Sequence, residues 1–281
     1  MVMHCISNIY IRKRLIQAIT LVLMSMSCGY ITASAESEAK PVIALLGDSM
    51  TWIGGDSCQN PTGWSHHLKS RGIADRVDVY ARSGATWTNT SKTRRDTVSY
   101  SEILDDDNVI FNQALRLRGR VLSGLAVNPD VVLVFAGAND VWFGDRRPGM
   151  FDEKSVGFSE PAVSTAPSTV TTLKGSVSLV CDVVREVLPE ARIVIVTPVE
   201  MSKAPAVLTE KVSDAIEESA LSRGAEVLRA DKWVDIRHIQ EASSPTYTSD
   251  GVHTNPRGAS ILADFIISGL MKSKDNAIQY K

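Results

Sequence analysis

Apolar residues along this chain fall into two recurring patterns. Short runs rich in Val and Ile, at 42–46, 77–80, 131–135, 193–197 and 226–228, have the length and β-branched content of buried strands. Between them, apolar positions recur at three- and four-residue spacing over 63–70, 113–125, 169–188 and 209–223, as in helices that bury one face. A last helical pattern runs from Pro256 to about Met271. Asn255 supplies its N-cap, and proline suits the first helical position, where its missing N–H has no partner to lose. Strands separated by helices predict βαβ units with right-handed crossovers. The expected fold is therefore α/β: a five-stranded parallel sheet in a three-layer α/β/α domain. Two stretches, 86–107 and 142–168, exceed simple connections, and loops of that length in a compact domain are functional or disordered. At the carboxyl edge of the sheet they would wall a ligand site.

The first 35 residues stand apart from this pattern. Arg12-Lys13-Arg14 precedes a mostly apolar stretch from Leu15 to Ile31, and Ala33-Ser34-Ala35 has the small-x-small form of a signal cleavage site. A membrane anchor is the alternative, but Gln17, several serines and Gly29 interrupt the stretch, which favours a cleaved, exported signal. Lipidation at Cys28 is a third reading, disfavoured because Ser25 and Met26 match a leucine-led lipoprotein signal poorly. On this reading residues 1–35 are the signal and 36–281 form one domain, with no membrane span after cleavage.

Composition adds little to the fold and more to the exclusions. An apolar fraction of 44% and a charged fraction of 22% are ordinary for a globular protein. The formal charge of −2 gives no footprint for nucleic acid. Removing the signal takes away three cationic and no acidic side chains, moving that charge to −5. Export also leaves Cys58 and Cys181 in an oxidising compartment, where they can pair. The alternative is that Cys181, inside an apolar helical run, is a small core residue. With neither C-x-x-C nor H-E-x-x-H, no zinc site is expected, and no other metal or cofactor is called for. His66-His67 lacks spaced acidic partners, and Asp105-Asp106-Asp107 lacks the glycine and terminal glutamate of a calcium loop.

The candidate chemistry lies in four short blocks. Ser49 ends the first apolar run in Gly47-Asp48-Ser49, so its hydroxyl should emerge at a strand's carboxyl end. A hydroxyl needs a base to become a nucleophile. Asp250-Gly251-Val252-His253 offers one: His253 can take the proton, while Asp250, three residues earlier, can bind Nδ1 and turn Nε2 toward Ser49. Oxyanion donors can come from the Ser49 N–H, from Gly84 in the block after the second strand, and from the side-chain amide of Asn139 in Gly137-Ala138-Asn139-Asp140. Taken singly, Gly84 is a turn glycine, Asn139 and Asp140 are turn formers, and His253 is a loop histidine. Their joint order is harder to explain that way. Asp48 and Asp140 read as structural supports. Trp52, Trp87 and Trp142 each follow one of these blocks and are candidate substrate contacts, with core or loop-anchoring roles as the alternative.

Gly-Asp-Ser, an isolated glycine, Gly-x-Asn-Asp and a terminal Asp-x-x-His, in that order, resemble the SGNH (GDSL) hydrolase family. The blocks span Gly47 to His253. The resemblance implies a flavodoxin-like sheet and carries the catalytic roles onto Ser49, Asp250 and His253, and the oxyanion roles onto Ser49, Gly84 and Asn139. Arg82 stands where many relatives have asparagine. The implied activity is a serine esterase working through an acyl-enzyme on a small-molecule or glycan ester. Export and the three tryptophans favour carbohydrate O-acetyl groups. A lysophospholipase, thioesterase or arylesterase on the same fold is the alternative, and a non-catalytic exported glycan-binding protein is the alternative of another class. Nothing in the sequence sets an oligomeric state.

Overall fold

Runs of Val, Ile and Leu form the strands of the computed structural model, which describes residues 39–89, 109–152, 164–165 and 169–279. Among these, β1 (Val42–Gly47), β2 (Arg76–Val79), β3 (Val131–Phe135), β4 (Arg192–Val196) and β5 (Glu226–Leu228) make one sheet in the order β2-β1-β3-β4-β5. Every pairing is parallel. The three inner strands are almost wholly buried, as apolar runs covered on both faces should be. The edge strands β2 and β5 are only half-buried.

The helices are α1 (Ser49–Trp52), α2 (Trp64–Ser70), α3 (Ile110–Leu122), α4 (Ala138–Trp142), α5 (Leu173–Val187), α6 (Ala206–Ser222), α7 (Ala230–Trp233), α8 (His238–Ser243) and α9 (Pro256–Gln279). The chain steps one way from β1 to β2 and the other way from β2 through β3 and β4 to β5. Right-handed crossovers then send α2 to one face of the sheet and α3, α5 and α6 to the other. The packing agrees: α3 lies against α5 and α5 against α6, while α9 lies against α2. This is the expected three-layer α/β/α architecture. The reversal of direction sits between β1 and β3, whose carboxyl ends open the crevice where such sheets bind ligands.

The expected elements are present with shifted ends. β2 and β4 each begin and end one residue early, and α3 and α6 begin three residues before the helical pattern does. α1, α4, α7 and α8 have no counterpart in the pattern, because four to six residues are too few to show a helical period. Tyr80 belongs to the turn after β2 and is buried.

Cys58 and Cys181 are both free and buried, so the pairing considered from sequence is not made. Cys181 lies in α5 as a core residue, its thiol pushed up to about 12 chiefly by burial. Residues 1–35, read from sequence as a signal, lie outside the described residues, as do Asp105, Asp106, Asp107 and most of the stretches 86–107 and 142–168. Among the described residues no helix is long and apolar enough to cross a membrane.

Candidate active site

The site begins at the end of β1. Gly47 passes so close to β3 that a Cβ there would lie 2.3 Å from the Phe135 carbonyl oxygen. Gln113 of α3 clamps the same residue, accepting from its N–H at 2.8 Å and donating to its carbonyl at 2.9 Å. Asp48 then caps α1, its Oδ1 accepting from the Met50 N–H at 2.9 Å. Ser49 is the first residue of that helix and is 8% exposed. The Ser49 N–H makes no hydrogen bond among the described residues.

Three strand-end loops are laced together around it. Asp48 Oδ2 accepts from the N–H groups of Gly137 and Ala138, joining the β1 and β3 loops. The Arg82 N–H donates to the Gly47 carbonyl at 3.1 Å, joining the β2 loop to β1. Asn139 Nδ2 donates to the Ala85 carbonyl at 3.0 Å, joining β3 to β2 and leaving its second hydrogen for another acceptor. Asp140 is fully buried and accepts from the N–H groups of Trp87 and Thr88 and from the Thr88 hydroxyl. Burial raises its carboxyl above the usual range, while Arg147 and these donors pull it back. Asp48 and Asp140 are thus structural supports, as expected.

Gly84 sits on the exposed turn of the β2 loop with φ +78, a conformation that favours glycine. Its N–H, like that of Ser49, makes no hydrogen bond among the described residues. The Arg82 side chain points elsewhere, its Nη1 donating to Asp56 at 2.9 Å and to the Ala81 carbonyl.

The second half of the site arrives on the loop before α9. His253 Nε2 lies 3.0 Å from Ser49 Oγ, and His253 Nδ1 lies 2.7 Å from Asp250 Oδ2. Asp250 Oδ1 also accepts from the backbone N–H groups of Val252 and His253. Partial burial raises the Asp250 carboxyl, but the bonds from His253 and Val252 outweigh it and hold the group below the usual carboxylate range. An ionised Asp250 on Nδ1 assigns the imidazole proton to that nitrogen and leaves Nε2 as an acceptor for the serine proton. Such an arrangement can deprotonate a hydroxyl while a carbonyl is attacked.

The tryptophans divide. Trp52, on α1, is 39% exposed, and Trp142, on α4, is half-buried and stacked on Phe143. Trp87 is fully buried in the core, with its backbone N–H on Asp140, so its indole cannot reach a substrate. It anchors the loop instead.

Sequence reasoning missed two supports of the site, Gln113 and Glu241, whose side chains hold the loops on either side of it. Each is a buried polar residue in a helix. Its role shows only in the strand or loop it meets, 66 residues away for Gln113 and five to seven for Glu241. Among the described residues no group of three or more His, Cys, Asp and Glu side chains is placed to hold a metal. His66 and His67 pack edge to face, and His66 Nδ1 lies 3.2 Å from the Cys58 carbonyl.

No curated protein matches the chain. Solved structures do. A protein from Lactobacillus plantarum is 17% identical, with a TM-score of 0.56 over 83% of this chain and 98% of its own. A structure described as a GDSL-like lipase from Bacteroides ovatus is 16% identical, with a TM-score of 0.54 over 84% of this chain and all of its own. At such identities the likeness speaks for the fold. Residues 45–261 match the model of the GDSL-like lipase/acylhydrolase family, a span that takes in Ser49, Gly84, Asn139, Asp250 and His253. The chain belongs to that family, and with it to the ester hydrolases.

Proposed function

We propose that this protein is an exported serine esterase that acts on acetylated carbohydrate. The observation that carries the catalytic part is the relay from Asp250 through His253 to Ser49, with contacts of 2.7 and 3.0 Å. Ser49 Oγ attacks the ester carbonyl as His253 Nε2 takes its proton. The N–H groups of Ser49 and Gly84 and the second hydrogen of Asn139 Nδ2 receive the oxyanion. His253 returns the proton to the departing alkoxide, leaving an acyl-serine. Water, deprotonated by His253, then releases the acid.

The substrate class rests on Trp52, an exposed indole three residues past the nucleophile, and on the Trp142–Phe143 stack three residues past Asn139. Flat aromatic faces suit the apolar faces of sugar rings. Export rests on the charged, apolar and small-x-small order of residues 12–35. A lipase or other acylhydrolase acting on longer chains is the second reading, favoured by the family itself.

One panel tests both. Aryl esters of two to twelve carbons and acetylated oligosaccharides are hydrolysed by wild type and by Ser49→Ala. Highest kcat/KM at acetyl, with turnover of the oligosaccharides, supports deacetylation. A maximum at eight carbons or more overturns it in favour of the lipase reading. Unchanged hydrolysis by Ser49→Ala overturns the serine mechanism.

A further inference from the structure

A buried carboxylate outside the relay grips the loop that carries half of it. Glu241, on α8, is 1% exposed. Its Oε1 accepts from the Tyr247 N–H at 3.0 Å, its Oε2 from the Thr248 N–H at 3.0 Å, and both share the Thr246 N–H at 3.2 Å. The Thr248 hydroxyl donates to Oε2 as well, and its oxygen accepts from the Gly251 N–H at 3.1 Å. Thr248 pairs antiparallel with Thr254, so these two form the neck of a loop whose tip holds Asp250 and His253.

α8 is itself fixed. Glu200 accepts from Arg237 Nη1 at 3.2 Å and from the His238 N–H at 2.8 Å, and His238 Nδ1 lies 2.8 Å from the Met201 carbonyl. The next residue, Ser202, donates its N–H to the Gly251 carbonyl at 2.8 Å. The loop is therefore held from two sides by one short helix and the turn after β4. A buried carboxylate needs donors to offset its lost hydration. Here three backbone N–H groups and a hydroxyl supply them, all from the three residues that lead into the loop.

We infer that Glu241 is a positioning residue: it sets the path of residues 246–248 so that His253 Nε2 meets Ser49 Oγ. The inference rests on the proposed roles of Ser49, His253 and Asp250. Glutamine at 241 keeps the shape but turns one acceptor oxygen into an NH2 facing donors. The loop must then shift, and proton transfer tolerates little displacement.

A double-mutant cycle on p-nitrophenyl acetate tests this. Glu241→Gln is expected to lower kcat by about 10- to 100-fold, with KM within about twofold of wild type. In the His253→Ala background the same substitution should change residual hydrolysis by less than about twofold, because the group it positions is gone. An equal fold-loss in both backgrounds, or an unchanged kcat in the single variant, overturns the inference. Wild-type activity in His253→Ala alone overturns instead the catalytic reading beneath it. Thr248→Val removes one of the four donors and is the second variant if Glu241→Gln does not fold. It should lose kcat in wild type, but not in the His253→Ala background, and an equal loss in both overturns the inference in the same way.

Discussion

The Asp48 carboxylate and the Ala138 N–H, 90 residues apart in sequence, meet at 3.1 Å. With the bond from Gly137 and the cap on Met50, this one side chain fixes the helix of Ser49 against the helix of Asn139. Donors stabilise a developing oxyanion only if already aimed at it. The distance between the proposed nucleophile and the proposed donor is therefore set before substrate arrives.

Asp48 should also leave a mark on stability. Burial pushes its carboxyl up to about 7, against the pull of the Met50, Ala138 and Gly137 donors and with added repulsion from Asp140. Because the folded value lies above the ordinary 3.8, the folded state binds the proton more tightly. That contribution is fully present below pH 3.8 and is lost as pH rises toward 7. The stability advantage of wild type over Asp48→Asn should thus be largest near pH 4 and shrink toward neutrality. Denaturant unfolding across this window checks it, and an advantage that grows with pH would count against the assignment.

Asp250 should show the opposite sign. Its carboxyl is raised by burial but held below 3.8 by the bonds from His253 and Val252. The stability it contributes is present above 3.8 and is lost as pH falls through the depressed folded value. Wild type should therefore exceed Asp250→Asn in stability at neutral pH, and the two should converge in acid unfolding below about pH 4. At neutral pH the same variant should lose roughly 10³- to 10⁴-fold in kcat, since the imidazole loses its orienting carboxylate.

Asn139→Ala and Gly84→Ala test the two proposed kinds of oxyanion donor, a side-chain amide and a backbone N–H. The first deletes a donor outright and should cost about 3 to 4 kcal/mol of transition-state stabilisation, or roughly 10²- to 10³-fold in kcat. The second keeps the N–H, and its methyl group meets no heavy atom within 4 Å. Its cost is the left-handed backbone, about 1 kcal/mol of stability, so kcat should fall by less than about tenfold. Steady-state kinetics beside thermal unfolding distinguish the two. A larger kcat loss for Gly84→Ala would mean that its turn, rather than its N–H, matters to the site.

The sheet was legible because β1, β3 and β4 are covered on both faces, which shows in sequence as unbroken apolar runs. The edge strands were harder to bound: β2 begins at exposed Arg76 and ends before Tyr80. Ser49, Asn139 and His253 were legible because each chemical group lies within three residues of a strand end or helix start. Glu241 and Gln113 were not. A glutamate six residues from the backbone it binds, or a glutamine 66 residues from Gly47, has no local pattern to mark it. Trp87 misled for the converse reason: proximity in sequence to Gly84 does not say which way an indole turns.

Trp52 and Trp87 should respond to truncation in opposite ways. Trp87 is fully buried, and although Trp87→Ala keeps the backbone N–H on Asp140, it would open a cavity that the neighbouring core cannot fill. A loss of about 3 to 5 kcal/mol in stability is expected. Trp52 is 39% exposed on the helix that begins at Ser49, so Trp52→Ala should change stability by only about 0.5 kcal/mol. Its effect belongs to binding: KM for an acetylated oligosaccharide should rise severalfold, while KM for p-nitrophenyl acetate, too small to span the indole, stays near wild type. Equal effects on both substrates would remove Trp52 from the proposed sugar-binding surface and leave Trp142 and Phe143 as the aromatic face to test.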